Sequence, residues 1–245
     1  MNQESSLWSD AWRRLLANKA AVAGGIILLV LIFLAIFAPW IAPPSYSYQN
    51  LELGAQPPSP KFLLGTDTLG RDLFSRILYG ARVSLLVGFV ATSVALVIGV
   101  SWGIVAGYFG GRIDSVMMRI VDVLYGLPFI IFIILLMVIF GRNIWLLFGA
   151  IGAVEWLTMA RIVRGQVLTV KTQEYVLAAQ AMGVSNIQMF RKHIYPNILG
   201  PIAVYATLTI PQVMLLEAFL SFLGLGIQPP MSSWGTLIRY GVESM

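Results

Sequence analysis

The chain has 245 residues, 58% of them hydrophobic and 11% charged, with a formal net charge of +5 and a mean hydropathy of +0.82. A soluble domain carries roughly a quarter charged residues, so the scarcity of charge excludes an ordinary soluble fold more firmly than the apolar excess does. The basic residues sit in short clusters between apolar runs and form no single patch, which argues against nucleic acid and for the positive-inside pattern of a membrane chain.

Residues 1–19 read as a cytoplasmic or interfacial segment. Leu7, Trp8, Ala11, Trp12 and Leu15, with charges between them, predict a short amphipathic helix on the membrane surface. Arg13, Arg14 and Lys19 precede an apolar run over residues 20–41. A signal peptide has that order of charge, but its apolar core is only about 7–15 residues long. The run is long enough to cross a bilayer and is read as an uncleaved first span, N-terminus in the cytoplasm. Residues 42–82 then form an outer loop with Pro43, Pro44, Pro57, Pro58 and Pro60. It carries Leu64-Gly65-Thr66-Asp67-Thr68-Leu69-Gly70-Arg71-Asp72, read as a solvated turn and interfacial helix whose Asp and Arg satisfy each other.

A second span is expected from Val83 to about Ala106, closed by the glycine-rich turn Gly107–Arg112. A third runs from about Met117 to Phe140, kinked or broken near Pro128, where a backbone hydrogen bond is missing. After Gly141-Arg142-Asn143, a fourth covers Ile144 to Ala160 and a fifth about Ile198 to Leu223, with Pro201 and Pro211 inside. Five spans place Gly224 to Met245 outside. Arg13, Arg14, Lys19, Arg112, Arg161, Arg164, Lys171, Arg191 and Lys192 then lie inside, against Lys61, Arg71, Arg76, Arg142 and Arg239 outside, with Arg82 at a boundary. That bias agrees with the positive-inside rule.

The longest inner loop, residues 161–197, reads as helix, glycine turn, helix. Thr172 is placed as an N-cap, with Glu174 in the first turn where the dipole favours an acid. Tyr175 to Met182 are good helix formers, and Gly183 stands where a left-handed C-cap needs glycine. Ser185 and Gln188 have capping-box spacing, and the second helix is expected to stop before Pro196. Ala178, Ala179, Ala181 and Gly183 are small enough for a partner to approach the backbone. Such a hairpin suits mechanical coupling to a cytoplasmic protein, or it lies as an amphipathic loop on the headgroups.

The run Glu174-Tyr175-Val176-Leu177-Ala178-Ala179-Gln180-Ala181-Met182-Gly183, followed by His193-Ile194-Tyr195-Pro196-Asn197, resembles the EAA signature of ABC importer permeases. The phrases LGTDTLGRDLFSR, YGARVSLLVG, AGYFGGRIDSVMMRIVD, LSFLGLGIQPP and SSWGTL are similar to the C-type subunit of the dipeptide/oligopeptide branch. Ser6-Leu7-Trp8 with Asn18-Lys19-Ala20 also matches, and the texture is nearest an oligopeptide permease. The resemblance implies an all-α polytopic helix bundle of the type I importer permease fold, with residues 83–245 as the permease core. It implies that Glu174, Tyr175, Ala178, Ala179, Met182, Gly183, Ser185 and Pro196 belong to coupling helices docking on an ATPase. It further implies a homologous permease partner, two cytoplasmic ATPases binding ATP and Mg, and a periplasmic or extracellular binding protein delivering peptide. The location implied is the bacterial inner membrane. Leu177 stands where the signature usually has glutamate, and Tyr195 where leucine is usual. A sixth span usual in the family is also expected, but the chain stops at Glu243-Ser244-Met245, where that helix should begin, which reads as a truncation, a frameshift or a fragment.

Asp122, Glu155 and Glu217 fall in or near apolar spans, and an intramembrane acid is a functional candidate by default. Asp122 is near a cytoplasmic helix end, where interfacial solvation is the alternative to a functional role. Glu155 and Glu217 are deeper, and either line a path for peptide or form a structural pair with a polar group of a neighbouring subunit. His193, the one histidine, has no partners for catalysis or metal binding, and without cysteine there is no disulfide or thiolate site. No GxxxxGK[ST] phrase is present, so no nucleotide cofactor is expected in this chain. An ion-driven secondary transporter is one alternative, predicting inverted repeats that the sequence does not show. A truncated remnant that does not transport is the other.

Overall fold

The computed structural model describes residues 7–42, 45–141 and 143–244. Ser6, Pro43, Pro44, Arg142 and Met245 lie outside them, as do the side chains of Leu7, Trp8 and Ala11. The described residues are mostly helical and contain no strand, only an isolated bridge between Thr66 and Asp72. The chain divides into two compact units, Met1–Arg82 and Val83–Met245.

In the first unit, α1 (Leu7–Ala17) is followed directly by α2 (Lys19–Ile41). Asn18 caps α2, its side-chain oxygen accepting from Ala20 and Ala21 N–H at 3.1 and 3.2 Å. Helix α2 is apolar all round and exposes Ile26 to Val30, Phe33 and Ile36, the surface of a lipid-facing span. Its small residues Ala35 and Ala38 are buried; Ala38 and Ala42 pack with Leu78.

The loop before α3 (Leu73–Phe109) is organised by Asp67. Asp67 Oδ1 accepts from Leu69 and Arg71 N–H, both at 2.9 Å, while Oδ2 accepts from Arg71 Nε at 2.7 Å and from Arg76. The expected Asp–Arg pairing is present, but the turn is not solvated, since Arg71, Asp72 and Arg76 are all buried. Asp72 instead caps α3 through Ser75 N–H and Oγ at 2.8 and 2.6 Å. Gly70 is obligatory here: it has φ +67°, and a Cβ would meet Asn50 O at 2.0 Å.

Burial by itself would raise the Asp67 carboxyl, but the bonds from Arg71 and the charges of Arg71 and Arg76 outweigh it and hold it below the ordinary carboxylate value. A lowered folded-state pKa stabilises fully above the unfolded value, roughly pH 4, and that stability is lost as pH falls through the folded value. Asp67→Asn is therefore expected to cost about 2 kcal/mol at neutral pH, because two buried guanidinium groups lose their acid. Limited proteolysis across residues 45–72 should show faster cleavage of the variant at pH 7, with the gap closing below about pH 4.

The second unit contains the rest of α3, then α4 (Gly111–Tyr125), α5 (Phe129–Phe140) and α6 (Ile144–Lys171). Next come α7 (Glu174–Ala181), α8 (Asn186–Met189), a π turn (Phe190–Ile194), α9 (Tyr195–Phe222) and α10 (Trp234–Glu243). One core joins Val87, Ile133, Phe148, Ile151, Val213 and Leu220 from α3, α5, α6 and α9. Among the described residues four helices are long and apolar enough to cross a membrane, or up to five if the bent pair α4 and α5 is one span.

Three boundaries differ from the sequence expectation. Helix α3 begins at Leu73, because Asp72 caps it there. The break expected near Pro128 is present: the third span is two helices meeting at 78°, with Pro128 at the N-cap of α5, where a missing N–H costs nothing. Helix α6 runs through Ala160 to Lys171, so residues 161–171 extend the helix and are not loop. The chain also remains helical through Pro196: Tyr195 N–H bonds to Phe190 O, five residues back, and this wide turn accommodates the proline where α8 was expected to stop.

Candidate coupling hairpin and intramembrane cavity

Lys171 closes α6 and reaches the carbonyls of Gly107 and Tyr108 at the end of α3, at 3.3 and 2.7 Å. A cation at a helix C-terminus satisfies carbonyls that have no intrahelical partner. Thr172 belongs to this terminus, its hydroxyl donating to Thr169 O at 2.9 Å, so it does not N-cap the next helix. Gln173 takes the N-cap position of α7 without a side-chain bond, and Glu174 sits in the first turn.

The glycine turn forms as its sequence suggests. Gly183 has φ +78°, its N–H bonds to Gln180 O at 3.0 Å, and Val184 N–H bonds to Ala179 O at 3.2 Å. That pair of bonds is the Schellman motif, which needs the left-handed residue that glycine supplies. Ser185 is at the N-cap of α8 but makes no side-chain cap bond, so the capping box with Gln188 does not form. The capping box of the C-terminal region is at Ser233 and Thr236, ahead of α10.

The hairpin has an inner and an outer face. Val176, Ala179, Met189 and Ile194 are buried with Val163, Val167 and Val170 of α6. Ala179 therefore packs inward, leaving Ala178 as the open member of the pair. Outside stand Tyr175, Leu177, Met182 and Ile187, 44%, 51%, 77% and 72% exposed, with Pro196 also at the surface. Tyr108 braces the hairpin from α3, its hydroxyl donating to Asn186 O at 2.8 Å and its ring 5.8 Å from that of Phe190. His193 lies 6.3 Å from the Tyr175 ring.

Above the hairpin, α4 and α6 are joined by two ion pairs. Arg164 takes both oxygens of Asp114, and Arg161 meets Asp122 at 2.8 Å while lying 4.2 Å from the Tyr125 ring centroid. Asp122 is thus paired as well as solvated.

The two deeper acids separate. Glu217 has no exposed surface. Ser221 Oγ donates to its Oε1 at 2.6 Å and Ser84 Oγ to its Oε2 at 3.4 Å; those hydroxyls in turn accept from Ile227 and Trp234 N–H at 3.2 Å each. The carboxylate ties α9 to α3 and to the segment leading into α10, so it lines no open path within this chain. A fully hydrogen-bonded buried network of this kind is a packing device. Glu155 is only half-buried and faces a cavity of about 300 Å³ beside the α4–α5 break, lined by Tyr125, Leu127, Phe129, Phe132 and Thr158. Among the described residues no group of three His, Cys, Asp or Glu could hold a metal.

The sequence reading missed a further feature. Gly99, Gly103 and Gly107 form a stripe on α3 against α6; a Cβ at Gly103 would meet Ala160 O at 2.5 Å and Arg164 N at 2.9 Å. The four-residue spacing of small residues was the available signal.

The family described as "Binding-protein-dependent transport system inner membrane component" matches residues 99–245, more than half of the chain, including α6, the hairpin and α9. The chain belongs to this family. A second family, the "N-terminal TM domain of oligopeptide transport permease C", matches residues 6–58. Among curated relatives, the dipeptide transport system permease protein DppC of Bacillus subtilis (strain 168) is 50% identical over 98% of this chain and 75% of its own length. The oligopeptide transport system permease protein OppC of Haemophilus influenzae is 48% identical over 98% of this chain and 78% of its own length. A chain of the MetNI methionine ABC transporter, solved in inward-facing conformations, has a TM-score of 0.56 over 70% of this chain and 93% of that one, at 19% identity. That likeness shows the fold, an ABC transporter permease bundle. Members of the family are multi-pass membrane components and are not themselves ATPases.

Proposed function

We propose that this chain is a transmembrane permease subunit of an ATP-driven importer for peptides, forming half of the translocation path. The observation that carries the reading is the capped hairpin α7–α8, braced by Tyr108 and presenting Leu177, Met182 and Ile187 outward, in a chain of the binding-protein-dependent family. An exposed apolar patch marks a protein or membrane contact, and in a chain of this family it supports docking of a protein partner. Two cytoplasmic ATPases carrying ATP and Mg would bind such hairpins, one on this chain and one on a homologous permease. A binding protein would deliver peptide from outside, and oligopeptides or dipeptides are the cargo named for the relatives. The N-terminus and hairpin share the cytoplasmic side, as the distribution of basic residues supports. An ion-driven transporter has no comparable support, since the family is a binding-protein-dependent one.

The chain has no cysteine, so Met182→Cys is a unique reporter on the hairpin tip. In membranes holding the full complex, a cross-link from Cys at 182 to an ATPase subunit, altered by ATP, is the expected result. A stably inserted chain with no cross-link, and with peptide uptake surviving ATP depletion, would overturn the reading.

A further inference from the structure

We infer that the cavity beside the α4–α5 break is a transit site for the primary ammonium group of the transported molecule, with Glu155 as its counter-ion. The inference rests on the importer reading above and assigns chemistry to one place on the path.

Glu155 projects from the middle of α6 into a cavity whose other walls are largely apolar, supplied by Leu127, Phe129 and Phe132. It makes no hydrogen bond or ion pair among the described residues, unlike Glu217, whose oxygens are both bonded. The guanidinium of Arg161, which lies over the cavity-lining Tyr125, is already committed to Asp122. A carboxylate inside a span is costly to keep without a partner and marks a pathway by default. The α4–α5 break opens the backbone beside it, an arrangement tolerated at membrane depth where a cavity is lined. Tyr125 and Thr158 add one hydroxyl each to the same wall.

The volume, about 300 Å³, is at the small end of ligand sites and suits one terminal residue, not a whole peptide. An ammonium donates up to three hydrogen bonds and carries the complementary charge. The apolar walls would take the adjoining side chain with little selectivity, which suits a path that must pass varied sequences.

The test uses the complete transporter in vesicles of phosphatidylcholine and phosphatidylglycerol, which lack amine-bearing lipid. Thr158→Cys supplies the only cysteine of this chain, exposed in the cavity wall. Trialanine delivered by the binding protein is expected to slow thiol labelling at 158 roughly 10-fold, the size of a charge-assisted hydrogen bond. Adding Glu155→Gln should abolish that protection, while the variant permease still co-purifies with both ATPases, showing that it folds and assembles. Equal protection with Gln at 155, or none with Glu, in vesicles that do take up trialanine overturns the site alone. Labelling that slows without peptide once phosphatidylethanolamine is added would assign the ammonium to lipid and also overturn it. Loss of ATP-dependent uptake in the unmodified transporter would instead overturn the importer reading beneath it.

Discussion

Replacing Gly103 with leucine is expected to destabilise the helical core by about 4 kcal/mol, above the usual range for overpacking. The reason is what the new side chain meets. A Cβ at this position would lie 2.5 Å from Ala160 O, 2.8 Å from Val163 Cβ and 2.9 Å from Arg164 N. Two of the three are backbone atoms of α6, which cannot turn aside as a side-chain tip can. Helix α6 would have to move away from α3 along the Gly99–Gly103–Gly107 stripe, loosening Val163 and Val167 in the core and the Arg164–Asp114 pair with them. In a membrane such an interface depends on close backbone approach, since lipid chains are as apolar as the side chains that would be released. Gly149→Ala is the control, because nothing lies within 4 Å of its Cβ position. Thermal unfolding of the purified chain in detergent should show a large drop for the leucine variant and almost none for the control. A leucine variant melting with the native protein would show that the α3–α6 contact is not close-packed in solution.

If the hairpin docks an ATPase as proposed, placing aspartate at both Leu177 and Met182 is expected to weaken that docking roughly 100-fold, since apolar hot spots contribute about 2 kcal/mol or more each and are not additive. Both side chains are more than half exposed and lie outside the buried cluster beneath the hairpin. The inner face, built from Val176, Ala179, Met189 and Ile194, is untouched by the change. The thermal midpoint of the permease should therefore stay where it is while peptide-stimulated ATP hydrolysis falls, measured with the full complex in vesicles. Val176→Asp is the contrasting variant: it buries a charge in the inner face and should lower the midpoint as well. Docking unchanged in the double variant would move the contact surface away from this face.

Much of the hairpin was readable in advance because its signals are local. Gly183 must adopt positive φ wherever a helix ends in this way, and the residues on either side supply both Schellman bonds from their own backbone. The caps were less readable. Thr172 and Ser185 have the right chemistry for N-caps, but Thr172 is drawn into the end of α6 and Ser185 leaves its oxygen unused. Several residues can serve as a cap at similar cost, and the packing of Lys171 against the end of α3 selects among them. The interruption at Pro128 was expected from its missing N–H; the 78° angle was not, because it depends on how α5 packs into the core with α6 and α9.

Composition, apolar periodicity and local turn chemistry alone determined that this is a multi-span helical chain with a helix, glycine turn, helix hairpin, since those properties follow from backbone chemistry and from transfer of side chains into lipid. Only the tertiary structure decided which acids are structural and which are open. Glu155 and Glu217 look alike along the chain, two carboxylates in apolar runs. Glu217 is enclosed because Ser84, from a helix far away in sequence, closes over it together with Ser221. Glu155 faces a cavity because the α4–α5 break leaves a gap beside α6. Whether a carboxylate finds a hydrogen-bond donor depends on residues brought together from distant positions, and no local pattern encodes that meeting.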